Sequence, residues 1–157
     1  MKKILVSFIL CLSIFVFLGC DTTALNEIYS NDSKIASKGD SYYAARSVSK
    51  YFNGEFTMTS TLTGSETIWR YNAPNDLAVD ITYSLLLIET GKVKLVLITP
   101  NGEVSIIEEI TDIITNAESK IKTLSLKKGE NRIKIIAYDS ARFELKAKIN
   151  VGNFGND

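Results

Sequence analysis

The 157-residue sequence contains no histidine. Nucleophile systems that need an imidazole base, Ser-His-Asp or Cys-His, are therefore excluded. So are His-ligated zinc sites and the His-Glu-x-x-His arrangement. Imidazole is also the usual general base near neutral pH, so any catalysis would fall to carboxylates, Lys or Tyr. Cysteine is scarce: Cys11 and Cys20 are the two in the chain. Cys11 lies in an apolar amino-terminal run, and loss of that run would leave Cys20 without a partner for a disulfide or a thiolate metal site. An excess of either charge sign is missing as well, since 18 Lys and Arg face 18 Asp and Glu. With no basic cluster, the composition argues against nucleic acid as a partner and against a polybasic membrane patch. No cofactor and no metal are implied.

What is present begins with the amino terminus. Lys2 and Lys3 precede an apolar run of 15 residues, Ile4 to Leu18, broken only by Ser7 and Ser13; Gly19 and Cys20 follow. A charged start, an apolar stretch and a small residue make the three-part secretory pattern. A run of that length is short of the ~20 residues that span a membrane as a helix. The block Phe17-Leu18-Gly19-Cys20 resembles the lipobox of bacterial lipoproteins. The resemblance implies that residues 1–19 are a signal peptide cleaved after Gly19. It also implies that the Cys20 thiol is diacylated, and that the mature chain is held at the cell membrane on its extracytoplasmic side. Two acyl chains hold stably where one is marginal, at roughly 0.8 kcal/mol per buried CH₂.

Residues 20–50 read as the lipidated cysteine and a polar tether, with Ser30-Asn31-Asp32-Ser33 and Lys38-Gly39-Asp40-Ser41 as its most linker-like stretches. As a flexible coil, about 30 residues would span roughly 30 Å. Leu25, Ile28, Tyr29 and Ile35 fall near one helical face, which leaves a short helix open for part of it. Tyr42 and Tyr43 either pack on the edge of the folded domain or stand exposed.

From residue 51 to 151 the hydrophobic period is two. Phe56, Met58 and Leu62 alternate with threonines; Leu77, Val79, Ile81, Tyr83, Leu85 and Leu87 share one face; Val93, Leu95 and Leu97 oppose Lys92 and Lys94; and Phe143, Leu145, Ala147 and Ile149 alternate with charged residues. Such alternation marks half-buried strands. Turn residues are expected at Thr63-Gly64-Ser65, around Pro74, at Thr90-Gly91, at Asn101-Gly102, at Lys128-Gly129 and at Tyr138 to Ala141. Residues 106–118 are ambiguous, favouring strand to about Ile107 and then a loop or short helix. The expected fold is all-β: one jelly-roll-like β-sandwich of about eight strands, with 152–157 as a tail.

Two stretches carry a resemblance of architecture. Gly91 to Val104, GKVKLVLITPNGEV, is similar to the strand-turn-strand of small jelly-roll domains in secreted bacterial proteins. Leu126 to Ile136, LKKGENRIKII, is similar to a hairpin of carbohydrate-binding modules and galactose-binding-like sandwiches. Thr67-Ile68-Trp69 resembles a segment of uncharacterised lipoproteins of low-GC bacteria. Sandwiches host many functions, so these resemblances name no ligand.

The candidate ligand-binding residues are Trp69 and Tyr71, on one strand face, where exposed rings would stack on sugar C–H groups; core packing is the competing fate. Asn75, Asp76 and Asp80 could offer oxygens to calcium, although their spacing is not that of an EF-hand and turn chemistry explains them. Glu108, Glu109, Asp112 and Glu118 are an acidic cluster. Adjacent strand positions point to opposite faces, so Glu108 and Glu109 would not pair as hydrolytic carboxylates, and a solvated face is favoured. The functional expectation is a lipid-anchored, non-catalytic module that binds glycan, cell-wall polymer or protein. A structural envelope-assembly role is the alternative, and a carboxylate hydrolase comes third. Replacing Cys20 with Ala is expected to release the protein from the membrane fraction, scored by fractionation and immunoblot; retention of the variant would contradict lipid anchoring.

Overall fold

The structure is a computed structural model and describes residues 22–155. The expected signal peptide, Gly19 and Cys20 lie outside the described residues. Eight strands carry the described fold: β1 Ser41–Phe52, β2 Glu55–Ala73, β3 Leu77–Leu87, β4 Lys92–Ile98, β5 Val104–Ile110, β6 Lys120–Leu126, β7 Gly129–Ile149 and β8 Asn153–Phe154. Every pairing is antiparallel. The expected all-β sandwich is what forms.

Two strands organise it. β2 has 19 residues and β7 has 21, and they pair along nearly their whole length. Strands this long do not stay flat. Their register shifts between Leu62 and Gly64. There Gly64 takes φ 105°, and on β7 Asp139 and Ser140 take φ 57° and 54°. Before the bend, residues 55–62 of β2 and 141–149 of β7 continue into β3 and then β6. Beyond it, residues 64–73 of β2 and 129–137 of β7 continue into β4 and then β5. One hydrogen-bonded sheet thus folds into two layers that share both long strands, a corner built by bulges. Between the layers lies the main core, with Leu62, Trp69, Ile81, Leu87, Leu95 and Phe143 among its fully enclosed side chains.

The structure corrects several expectations. Thr63-Gly64-Ser65 and Tyr138 to Ala141 are bends inside β2 and β7 rather than turns between strands. Positive φ serves a bulge as well as a hairpin, and the sequence pattern is the same for both. The Asn101-Gly102 hairpin joins β4 to β5 as expected, and an unforeseen one, Asn53-Gly54 at φ 51° and 79°, joins β1 to β2. The tail is not frayed: β8 pairs with Trp69 and Arg70 of β2. After β5, residues 111–119 are an irregular loop with no helix.

The largest correction concerns residues 20–50. Ser41–Phe52 is a sheet strand, and the stretch before it folds as α1 Thr22–Asn26, a 3₁₀ turn Glu27–Ser30 and α2 Asp32–Ile35. Ile28, Tyr29 and Ile35 are buried against Val96, Ile98 and Ile136 in a second apolar cluster. The outer faces of β4 and β7 carry Val96, Ile98 and Ile136 among Lys94, Arg132 and Lys134, and these apolar side chains require a cover. The stripe Leu25, Ile28, Tyr29 and Ile35 supplies that cover.

A Cβ built at Gly64 would lie 2.2 Å from the Ser41 carbonyl oxygen and 2.9 Å from Tyr42 Cα. Gly64→Ala is therefore expected to destabilise the domain by about 2–4 kcal/mol, read as a lower urea midpoint. An unchanged midpoint would contradict the account of the bend.

Candidate functional site

Trp69, the first sequence candidate, is fully buried. Its Nε1 donates to the Val151 carbonyl at 2.9 Å, and Gly152 approaches so closely that a Cβ there would sit 2.6 Å from the indole ring. The register shift between Thr67 and Trp69 lets Ile68 and Trp69 both point inward. Tyr71 is half-buried, its ring 6.1 Å from the indole. The pair is core and core margin, so Trp69 offers no face to a ligand.

Glu108, Glu109, Asp112 and Glu118 all border one cleft, but the Glu108 and Glu109 carboxylates take different partners, as strand alternation requires. Glu109 leaves the outer face of β5 and accepts from the Tyr29 hydroxyl at 2.8 Å. Burial, then this hydrogen bond, then the carboxylate charge push the Tyr29 pKa up. Glu108 faces a cleft of about 400 Å³ at the mouth between the layers, lined also by Tyr83, Ile110, Asp112, Glu118 and Lys120. Its Oε2 accepts from the Tyr83 hydroxyl at 2.9 Å and from Lys120 Nζ at 2.8 Å. Burial opposes the charge on Glu108, but these two hydrogen bonds and the charges of Lys120 and Lys122 together outweigh it and hold the carboxyl below its usual range. Tyr83 is pushed up to about 12 by burial, the hydrogen bond and the Glu108 charge, in that order. Neither group is poised to exchange a proton near neutral pH.

The oxygen-rich turn is explained by its neighbours. Asp76 accepts from the Lys128 backbone N–H at 2.8 Å and from Lys127 Nζ at 2.9 Å, and Asp80 accepts from the Thr123 hydroxyl at 2.6 Å. Among the described residues, no three His, Cys, Asp or Glu side chains converge to hold a metal ion.

The strongest electrostatic assembly was invisible to sequence reasoning. Arg132 and Lys134 lie two apart on the outer face of β7 and reach the chain between α2 and β1. Arg132 donates to the carbonyls of Ser37 at 2.7 Å and Ala36 at 2.8 Å. Lys134, with no exposed side-chain surface, donates to the carbonyls of Ser37 at 3.0 Å and Gly39 at 2.9 Å, and pairs with Asp40 at 3.1 Å. Burial pulls the Lys134 pKa down while Asp40 opposes it. Thr67 donates to Asp40 at 2.7 Å. Glu66 sits beside this group with its Oε2 buried and unpartnered. Burial first, and the Asp40 charge second, raise its pKa.

Apart from Tyr138 on β7, the exposed rings among the described residues are on β1. Among the described residues this strand pairs with β2 alone, and Tyr42, Tyr43, Tyr51 and Phe52 are all exposed, Phe52 at 75%. At the Asn53-Gly54 hairpin, Lys50, Tyr51, Phe52, Glu55 and Thr57 line a shallow hollow of about 650 Å³. Tyr51 stacks on Phe154 at 5.8 Å, and Phe154 stacks on buried Phe56 at 4.9 Å with 8° between planes. A ring ladder thus runs from core to surface and holds Tyr51 in place. The signal that could have found this site is Asn53-Gly54 flanked by aromatics, since Asn-Gly is the strongest short hairpin signature.

No family model matches this chain, and no curated protein matches it. Among solved structures it is similar to a carbohydrate-binding module from Cellvibrio mixtus lichenase 5A in complex with cellotriose. That likeness has 14% identity and a TM-score of 0.41, and covers 77% of this chain and 95% of that one. It is also similar to a variant of a family 29 carbohydrate-binding module complexed with mannohexaose, at 13% identity and TM-score 0.42, covering 71% and 82%. A third is a protein of Bacillus endospore appendages, disulfide-linked pili, at 15% identity and TM-score 0.38, covering 71% and 88%. These likenesses are of strand arrangement and pass no ligand to this chain.

A carboxyl whose folded pKa lies above its unfolded value favours the folded state when protonated. Glu66 therefore weakens the fold at neutral pH, and the penalty lifts as pH falls through its raised pKa. Glu66→Gln is expected to raise the melting temperature at pH 7, with an advantage that shrinks toward pH 4. Equal melting temperatures at pH 7 would contradict the burial of an unpartnered charge.

Proposed function

We propose that the protein is a membrane-anchored, extracytoplasmic lipoprotein whose sandwich is a non-catalytic glycan-binding module. One observation carries the binding assignment: the Tyr51 and Phe52 rings stand exposed beside Lys50 and Glu55 at a hairpin tip stiffened by the Tyr51–Phe154–Phe56 ladder. Ring faces accept the apolar C–H side of a sugar, and flanking charged groups can take its hydroxyls. A ring already held in place loses little entropy on binding. In the cleft, Glu108 is held below the usual carboxylate range and Tyr83 is pushed up to about 12, and this hydrogen-bonded pair supports the non-catalytic reading. Anchoring through Cys20 rests on the charged, apolar and Gly-Cys pattern of the leader.

A second reading has its own observation. Among the described residues, β1 offers an unpaired backbone edge of 12 residues, interrupted by a bulge between Ala45 and Val48. A protein partner could add a strand there. A glycan array followed by calorimetry on the soluble domain separates the two. The Tyr51→Ala, Phe52→Ala double variant is expected to keep its melting temperature and lose glycan affinity at least tenfold. Absence of any glycan hit, together with a protein partner whose binding survives loss of both rings, would overturn the glycan reading in favour of strand addition.

A further inference from the structure

We infer that the corner where β2 and β7 bend is a membrane-facing surface, resting directly on lipid headgroups. The inference rests on the acylation of Cys20 proposed above. Its warrant is the length of chain between that residue and the folded body. α1 starts at Thr22 and lies against β1, β2 and β7. It is fixed at the corner, where the Asp139 backbone N–H donates to Asn26 Oδ1 at 2.9 Å. The Tyr29 ring meets Tyr138 edge-on at 5.9 Å. From Cys20 to Thr22 there are two peptide links, at most about 7 Å of reach. The interfacial zone of one leaflet is itself roughly 5–8 Å deep. Acyl chains on Cys20 therefore consume all the slack within the headgroups, and the body cannot be lifted clear.

The corner suits that contact. Tyr42, Tyr138, Asp139 and Ser140 are exposed there, and Lys92 lies 5.8 Å over the Tyr138 ring. Tyrosine rings settle at headgroup level with their hydroxyls wet, and Lys92 can meet lipid phosphate. Geometry then places the exposed-ring hairpin away from the bilayer. Residues 55–62 of β2 separate the bend from Asn53-Gly54, roughly 25 Å at 3.3 Å per residue.

The test uses the full acylated protein in vesicles of phosphatidylcholine and phosphatidylglycerol, with a headgroup-located quencher. Acylation blocks Cys20, so a dye labels only an introduced thiol. The positions are Lys92→Cys at the corner and Lys128→Cys at the opposite end of that layer, both exposed in the parent. Quenching is expected to be at least threefold greater at position 92. A 15-residue Gly-Ser spacer inserted after Asp21 is expected to abolish the difference while leaving the protein vesicle-bound. Equal quenching with acylation confirmed by mass would overturn the membrane-facing corner and leave anchoring intact. A free Cys20 thiol on soluble protein would overturn the anchoring reading, and this inference with it.

Discussion

A buried ammonium governs how residues 22–40, ahead of the first strand, are used. Lys134 has no exposed side-chain surface. An ammonium removed from water costs several kcal/mol unless it is paired and hydrogen-bonded. Here two main-chain carbonyls, of Ser37 and Gly39, and the Asp40 carboxylate supply the partners. All three lie in one short stretch between α2 and β1. The cation is satisfied only when that stretch occupies its place, and Arg132 binds the same stretch through Ala36 and Ser37. Polar residues that look like a linker are thereby fixed to the sheet, and the helical turns before them are held over Val96, Ile98 and Ile136.

The other constraint is the shared pair of long strands. Because β2 and β7 run through both layers, one bend sets the relation between them, and Gly64 occupies it where a side chain would strike the Ser41 carbonyl. Among the described residues, the same arrangement leaves β1 as an edge strand and puts its aromatic tip at the end remote from the bend. Anchor and binding surface, as proposed, occupy opposite ends of the first layer.

Period-two alternation made the strands of the core legible: Ile81, Tyr83, Leu85 and Leu87 all point inward as their spacing requires. Glu108 and Glu109 likewise diverge to opposite faces, toward Tyr83 and Tyr29. The bends were not legible as bends, because Gly64 and Asp139-Ser140 carry the same chemistry as turns. Trp69 and Tyr71 do share one face as their spacing requires, but it is the core face, which parity alone does not reveal. The outer cover was hinted at by the continuous apolar run Leu95 to Ile98 of β4. The Lys134 assembly joins residues more than 90 positions apart, beyond the reach of any local pattern.

Hydrogen–deuterium exchange over residues 22–40 of the full protein tests the central claim most directly. Amides of a flexible tether exchange at the free-chain rate, whereas amides welded to the sheet open only with it. The account predicts protection of Ile35 and Ala36, whose N–H groups bond to Asn31 and Asp32 carbonyls, and its loss on Lys134→Met at a pH where the sheet amides stay protected. Free-chain exchange across 22–40 in the unsubstituted protein would contradict it.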